Sequence, residues 1–321
     1  MTAARIPWQA RFVALALIWG ASFLLMKIGL ESLAPLQIAT LRVLSGAVTV
    51  LLVGSFLRAR LPRERRVWLH LAVSGLFLAS LPFTLFPLGE QRVSSALAGI
   101  GNATTPLATV VFTLLLIPGD RLGGRKLLSV ILGFVGVVVI VQPWQAQGRP
   151  DLVGFGMTLV AGASYGLGWT YLRRFLGPGD VGGLGLPAAQ LTMASVQLVV
   201  VTTLWWLLHR DGLAAPWSPV DSTHLGSSVL AVLALGVVGT GLAFALQFDI
   251  VRAVGPTVGA TVTYVIPVVA VGLGVVFLHE RLHWPQVVGA AIVLVAAIVL
   301  GLPPRRRVAT SQPDVVPTTA P

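Results

Sequence analysis

Long runs of apolar residues alternate with short polar segments along most of this chain of 321 residues. Most of these runs approach or exceed the roughly 20 residues that an α-helix needs to cross the ~30 Å hydrocarbon layer of a membrane. The pattern therefore predicts ten transmembrane helices, which are numbered here in chain order. The predicted segments are Phe12–Leu30, Leu36–Leu57, Val67–Leu88, Ser94–Ile117, Leu127–Val141, Leu152–Leu172, Leu186–Leu208, Leu225–Phe248, Thr257–Leu278 and Trp284–Leu302.

The connections between these segments are brief, and no room remains for a separate soluble domain. The fifth segment is short, so we expect it to extend into Gly123–Lys126, with the basic side chains reaching back to the membrane interface. The stretch 304–321 is polar and rich in proline, which predicts a disordered cytoplasmic tail.

One pattern occurs twice in the chain. A proline, Pro106 or Pro267, enters an apolar run that ends in an acid-Arg-Leu triplet at 120–122 or 280–282. Internal repetition in a hydrophobic chain is typical of transporters.

The two halves also correspond elsewhere, because Pro35 opens helix 2 as Pro187 opens helix 7. Each half holds five predicted helices, an odd number, so the second half must be inverted relative to the first. The predicted fold class is an all-α integral membrane protein with ten transmembrane helices in two five-helix inverted-topology repeats. Residues 1–145 form the first repeat and residues 146–303 the second.

Composition agrees with a membrane protein, since 55% of the residues are hydrophobic and 10% are charged. The chain has no cysteine, which excludes disulfides and thiolate chemistry. Sixteen of the 22 basic residues fall on one side of the predicted helices, four fall on the other, and Lys27 and Arg42 lie inside helices. By the positive-inside rule both termini are cytoplasmic. Because the arginines flank apolar segments, we expect the lipid bilayer, and no nucleic acid, as a partner.

The N-terminus could be misread as a secretory signal peptide, because Arg5 and Arg11 precede an apolar run, Phe12–Leu25. That run is too long for a typical signal, and no cleavage site with small residues precedes Lys27. We interpret it as the first transmembrane helix.

The segment from His279 to His283 matches the zinc motif H-E-x-x-H. Pro285 places a helix boundary near His283, so the two histidines do not share one helical face. The other half of the chain has glycine where His279 stands. We therefore interpret the segment as a helix-connecting clip, and expect no metal, no cofactor and no catalytic residue.

Four of the predicted helices carry polar or aromatic residues at helical spacing. For each stripe alone, contact between helices is an alternative explanation. Together the four stripes favour one shared polar cavity lined with aromatic side chains. They are Asn102, Thr105 and Thr109 in helix 4; Gly162, Tyr165 and Trp169 in helix 6; Thr240, Phe244 and Gln247 in helix 8; and Thr257, Thr261 and Tyr264 in helix 9.

Arg42 lies deep in helix 2, where a charge is costly unless it faces protein or water. Two roles are open for it: it binds a substrate carboxylate, or it is a structural anchor that forms hydrogen bonds with backbone carbonyls or helix ends. Lys27 lies near enough to the outer boundary to reach the interface. Glu90, Asp249 and Glu280 fall at helix ends, so no mid-helix carboxylate indicates proton coupling. Pro106 and Pro267 remove backbone hydrogen bonds and are hinge or gating candidates.

Five features of the chain resemble the EamA-type transporters of the drug/metabolite transporter superfamily. They are Trp19-Gly20, Arg42 after Pro35, Pro106, Pro267, and Glu280-Arg281-Leu282. The resemblance runs from about Leu15 to Leu302. It implies ten helices in an inverted repeat, export or exchange of small metabolites such as amino acids, and a bacterial inner membrane. It also implies a central cavity between helices 1, 3, 4, 6, 8 and 9.

Two features depart from the family pattern: Ile117–Asp120, where the acidic clip is distorted, and Tyr165-Gly166, where Trp-Gly is expected. The second departure implies unequal substrate contacts from the two halves.

These observations predict a secondary transporter that works by alternating access and binds a small-molecule substrate. Other copies of this chain are a further possible partner, in a homo-oligomer. An integral-membrane enzyme acting on a lipid-linked substrate is the alternative, and a receptor or scaffold is a third. The predicted substrate-binding residues are Trp19, Arg42, Asn102, Tyr165, Trp169, Gln247 and Tyr264.

Overall fold

The computed structural model describes residues 7–119, 123–142, 151–176, 183–208, 215–254 and 262–301. The described residues form helices joined by short connections and contain no β-strand. The helices are α1 (Trp8–Gly29), α2 (Pro35–Phe56), α3 (Arg65–Glu90), α4 (Ser95–Leu116), α5 (Gly124–Val141), α6 (Leu152–Phe175), α7 (Gly185–Leu208), α8 (225–254), α9 (Val262–Phe277) and α10 (Trp284–Gly301).

Seven of the described helices are long and apolar enough to cross a membrane: α1, α2, α3, α4, α6, α7 and, over Leu225–Gln247, α8. Shorter apolar runs lie within α5, α9 and α10, at Leu127–Ile140, Val265–Phe277 and Trp284–Ala296. The all-helical membrane architecture is therefore confirmed. The ten-span count and the inverted repeat stay predictions. The acid-Arg-Leu triplet at 120–122 and the tail at 304–321 lie outside the described residues.

The fourth predicted helix is not continuous, which corrects the sequence interpretation. It runs from Ser95 to Asn102, turns at Ala103 and Thr104, and resumes at Thr105 with Pro106 in its first turn. Proline has no N–H for the carbonyl one turn earlier, and its ring collides with that carbonyl inside a helix. The hydropathy of the segment does not report this loss.

Two other helices contain a π-helical turn, in which the backbone hydrogen bonds skip one residue more than in an α-helix. In α3 the turn covers Leu76–Ser80, directly before Pro82, and in α8 it covers Val237–Leu242. Such turns frequently occur at functional sites. Both lie beside the cavity described below.

The main helix contacts pair the two halves of the chain. Helix α2 packs along α7, α5 along α10, α1 along α9, and α4 along α6. Small residues allow the close approach of α6 to α4: a β-carbon on Gly166 would lie 2.7 Å from the Thr109 nitrogen, and one on Gly162 would lie 2.9 Å from the Gly101 oxygen. The halves thus share one packed interior.

Candidate functional site

A cavity of about 140 Å³ lies between the helices of the two halves. Helices α1, α2, α3, α4, α6, α7, α8 and α9 all contribute to it, so α2 and α7 add to the set that the sequence resemblance implied. The lining residues are Trp19, Ser22, Phe23, Met26, Arg42, Leu78, Phe83, Phe86, Asn102, Thr105, Tyr165, Trp169, Gln190, Gly239, Phe244, Gln247, Thr263 and Ile266.

Six of the seven predicted substrate-binding residues line this one cavity. They are Trp19, Arg42, Asn102, Tyr165, Trp169 and Gln247. The side chain of the seventh, Tyr264, lies outside the described part of the structure, although its neighbour Thr263 lines the cavity. Of the remaining stripe residues, Thr257 and Thr261 also lie outside the described residues. The assignment of substrate contacts to these side chains stays a prediction.

Arg42 of α2 is 6% exposed and extends its guanidinium group to the cavity wall. Its Nε donates a hydrogen bond to the Thr240 hydroxyl (3.1 Å), and its Nη1 lies 3.7 Å from the Met26 sulfur. The guanidinium carbon stands 3.6 Å from the centre of the Phe83 ring, a cation–π contact. Neither ion pair found among the described residues includes Arg42. Its charge is therefore available to an anionic ligand.

The π-helical turn of α8 supplies acceptors to the cavity wall. The indole N–H of Trp19 donates to the Gly239 carbonyl oxygen at 3.1 Å. Thr240, the next residue, accepts from Arg42 and donates to the Leu235 carbonyl oxygen at 3.3 Å. Trp19 on α1 and Arg42 on α2 are thus both fixed against α8, across the two halves of the chain.

Aromatic rings form much of the remaining wall. The rings of Phe23 and Phe86 meet edge to face, with centres 5.4 Å apart. The ring centre of Tyr165 lies 6.1 Å from that of Phe86 and 6.4 Å from that of Phe83. Apolar parts of a ligand would contact these rings, because such cavities fix orientation with few polar groups among many apolar ones.

The two ends of the cavity are lined differently: one end, called the closed end below, is lined by buried side chains, and the other includes an exposed one. At the end nearest the C-terminus of α1, the buried side chains of Phe23, Met26, Phe86 and Ile266 belong to one apolar cluster. On α6, one turn beyond Tyr165, Trp169 is 45% exposed.

Lys27 differs from its sequence interpretation, whereas Glu90 lies at a helix end as predicted but in an unexpected environment. The Lys27 ammonium group is part-buried and donates to the backbone carbonyl oxygens of Glu90 and Val93 rather than extending to the interface. Glu90, assigned to a helix end, is the last residue of α3 but is completely buried. Burial at a helix end depends on contacts from distant segments, so hydropathy alone could not reveal it.

The H-E-x-x-H segment connects two helices, as the sequence analysis predicted. Helix α9 ends at Phe277 and α10 begins at Trp284, so His279 and His283 share no helix. The Glu280 carboxylate instead accepts hydrogen bonds from the Ser95 and Ala96 N–H groups, at 2.7 and 3.0 Å. Among the described residues, no group of three or more metal-ligating side chains could hold an ion.

Comparisons with known proteins connect this geometry to a protein family. The model of the EamA-like transporter family matches the chain twice, over residues 7–142 and 152–302. The chain is 22% identical to a protein of known crystal structure, with a TM-score of 0.59 over 91% of this chain and 95% of the other. This likeness shows that the two share a fold.

Three bacterial relatives resemble the chain over nearly its whole length. The uncharacterized inner membrane transporter YedA of Escherichia coli K12 is 27% identical over 92% of this chain and 91% of its own. The uncharacterized transporter YvbV of Bacillus subtilis is 26% identical over 87% of each chain. A probable amino-acid metabolite efflux pump of Escherichia coli K12 is 23% identical over 86% of this chain and 89% of its own.

Proposed function

The chain belongs to the EamA-like transporter family, and on that premise we propose that it is a secondary transporter that exports or exchanges small metabolites by alternating access. Its substrate site is the cavity between the two halves. The substrate carries a carboxylate group and an apolar portion, as many amino acids do. The name of one relative, an amino-acid metabolite efflux pump, supports this substrate class.

The proposed architecture has ten membrane spans in two inverted repeats, residues 1–145 and 146–303, in a bacterial inner membrane with both termini cytoplasmic. The helix contacts support the repeat. If each helix of the first half is matched with the helix five places later in the second half, the same pairs of helices are found in contact after the two are swapped. Helices α2 and α7 pair with each other, as do α5 and α10, while the pair of α1 with α9 becomes the pair of α6 with α4. This equivalence is what two related halves around a pseudo-twofold axis would produce.

The observation that carries the substrate assignment is the buried Arg42 guanidinium, which has no acidic partner among the described ion pairs. A charge inside a membrane protein is costly unless it is compensated, and it usually marks a pathway or a binding site. A carboxylate fits an arginine with two parallel hydrogen bonds. The substrate carboxylate would therefore bind Arg42 with its apolar portion against Phe83, Tyr165 and Trp19.

The other predicted contacts complete the site. Asn102, Gln247 and Tyr264 would hydrogen-bond the remaining polar groups of the substrate, and Trp169 would cover its apolar portion at the end opposite the closed end. Pro106 follows the break in α4, and Pro267 lies inside α9. Because proline removes a backbone hydrogen bond at each place, these are the hinges at which the helices would bend during alternating access.

Ligand binding tests the role of Arg42. Amino acids that raise the unfolding temperature of the purified protein would be compared with their carboxamides, since a ligand that binds only the folded state stabilises it. Arg42→Gln should weaken binding of the carboxylate form about 10- to 100-fold, because a hydrogen bond to a charged group contributes about 1.5–3 kcal/mol. Binding of the carboxamide should change much less.

The matched control is Arg60→Gln, which removes an exposed arginine. This variant should bind both forms as the unchanged protein does. If Arg42→Gln and Arg60→Gln bind the carboxylate ligand equally well, the carboxylate does not bind Arg42, and the site is assigned wrongly.

A further inference from the structure

Glu90 is a completely buried acidic residue whose two carboxyl oxygens have no hydrogen-bond partner in the part of the chain that the structure describes. It ends α3, one turn beyond Phe86 at the closed end of the cavity. Buried polar groups are nearly always hydrogen-bonded, so an exception calls for an explanation. The site assigned to the substrate does not use this carboxyl group.

The position of Lys27 makes the exception more informative. Its ammonium group lies beside Glu90 but donates to the backbone carbonyl oxygens of Glu90 and Val93, the second at 3.1 Å. Neither ion pair found among the described residues includes Glu90. An ionised carboxylate next to an ammonium group would form a short charge-assisted hydrogen bond with it. The observed arrangement instead suits a carboxyl group that holds a proton, because a neutral carboxyl is much less costly to bury.

Charged groups of both signs face Glu90 from the elements around it. Lys27 of α1 and Arg42 of α2 attract a negative charge there, whereas Glu280, which follows α9, repels one. Arg92 forms an ion pair with Asp151, which precedes α6. The Arg92 Nη1 and Asp151 Oδ2 atoms are 3.7 Å apart, and both side chains are about half exposed. Burial itself disfavours the charged form of Glu90, so a structural change that admits water to this end of the cavity would favour loss of the proton.

The same groups hold the closed end together. Lys27 joins α1 to the end of α3, and Glu280 joins the segment after α9 to the start of α4. Phe23, Met26 and Phe86 belong to one buried apolar cluster at this end. Opening this end would break the hydrogen bonds from Lys27 to the backbone and would admit water to Glu90.

We infer that Glu90 is a proton-binding site whose occupancy is linked to closure of this end of the cavity. With the end closed, the carboxyl group keeps its proton and Lys27 binds the two carbonyl oxygens. When the end opens, the carboxyl O–H bond breaks, the proton passes to water, and the carboxylate left behind pairs with Lys27. Lys27 then releases the two carbonyl oxygens, so its hydrogen bonds to the backbone at and after the end of α3 are replaced by an ion pair between two side chains. The link to transport rests on the proposed function, but the proton site does not.

Infrared spectroscopy of the reconstituted protein at neutral pH tests the proton itself, because a protonated carboxyl group has a carbonyl stretch that a carboxylate lacks. The band should disappear in Glu90→Gln, which has the shape of the protonated residue and no proton to lose. It should persist in Glu31→Gln, a variant of an exposed glutamate in the loop after α1. A spectrum that is the same in Glu90→Gln and Glu31→Gln would overturn the inference.

Cysteine labelling tests the link to closure, since the protein has no cysteine of its own. A single cysteine replaces Ser22, which lines the cavity and is 5% exposed. A membrane-impermeant maleimide is added to sealed vesicles on the side to which the loop after Gly29 is exposed. Raising the pH should speed labelling several-fold more with Glu90 present than in the Glu90→Gln background. The reactivity of the thiol also rises with pH, but it rises equally with Glu90 present and in the Glu90→Gln background, so the comparison of the two removes this effect.

Glu31→Gln serves again as the control and should keep the full pH response. Glu90→Met is a second neutral variant, and it should lose the pH response. It keeps the test available if Glu90→Gln does not fold. Neither experiment needs a substrate, so failure to find transport would leave both results standing. Equal pH responses in the Glu90→Gln, Glu90→Met and Glu31→Gln backgrounds would refute the link even if the protein transports.

Discussion

Two side chains from the first half of the chain, Trp19 and Arg42, donate hydrogen bonds to consecutive residues of the π-helical turn in α8. The turn offers the Gly239 carbonyl oxygen to Trp19 and the Thr240 hydroxyl to Arg42. Both donors would otherwise be buried without acceptors, which costs about 1–3 kcal/mol for each group. The turn thus fixes the two side chains that we expect to contact the substrate most closely.

Replacing Trp19 with Phe tests this arrangement. The ring remains, but the N–H donor to Gly239 is lost, so the free energy of unfolding should fall by about 1 kcal/mol. Ligand binding should weaken as the ring loses its fixed orientation. Thermal unfolding with and without ligand measures both effects. Trp217→Phe, at a 49% exposed tryptophan, is the control; an equal response of the two variants would count against a role for the Gly239 hydrogen bond.

Some of the site residues could be predicted from the sequence, and others could not. Arg42 is visible because it is a charge within an apolar run, and the stripes containing Tyr165 and Gln247 are visible because helical spacing places them on one face. Glu90 was missed because it lies at a helix end, and its complete burial depends on packing by segments that are distant in the chain. Gln190 was missed as well, since an isolated amide carries no pattern.

At the scale of helices, Glu280 connects two different helices by hydrogen bonds. Its carboxylate accepts the N–H groups of Ser95 and Ala96 at the start of α4, while its own N–H donates to the Gly274 carbonyl oxygen at 3.1 Å. The first N–H groups of a helix lack partners within it and carry partial positive charge. An acid from another segment satisfies both requirements, and this explains why a connecting segment carries it.

Glu280→Gln should lower the stability of the protein. One of the two acceptor oxygens becomes an amide nitrogen and the charge is lost, so the free energy of unfolding should fall by about 1.5–3 kcal/mol. Chemical or thermal unfolding in detergent measures the change. Glu64→Gln is the matched control, because Glu64 precedes α3 without a side-chain hydrogen bond to it. If both variants lose the same stability, the contact with α4 contributes nothing specific.

The helices themselves were largely predictable, because apolar length determines where a chain crosses a membrane. The irregularities were not. The break in α4 and the π-helical turns in α3 and α8 depend on backbone hydrogen bonds that hydropathy does not report. Pro106 indicated where helix 4 would be disturbed, but not whether the helix would bend, break or change its hydrogen-bond spacing.

For the molecule as a whole, the cavity lies where helices of both matched halves meet. Alternating access requires that the closed end open while the other closes. The contacts that would have to change are the ones made by Lys27, Glu90 and Glu280, together with the apolar cluster around Phe86. This is why a proton site at Glu90 would be placed to report on the state of the transporter.

Counterflow in proteoliposomes tests the central claim most directly. Vesicles containing the purified protein are loaded with an unlabelled ligand found by thermal shift, and labelled ligand is added outside. The account predicts transient accumulation of label inside above its outside concentration, retained in Arg60→Gln and abolished or greatly slowed in Arg42→Gln. Absence of accumulation for every ligand that binds, or accumulation that Arg42→Gln leaves unchanged, would contradict it.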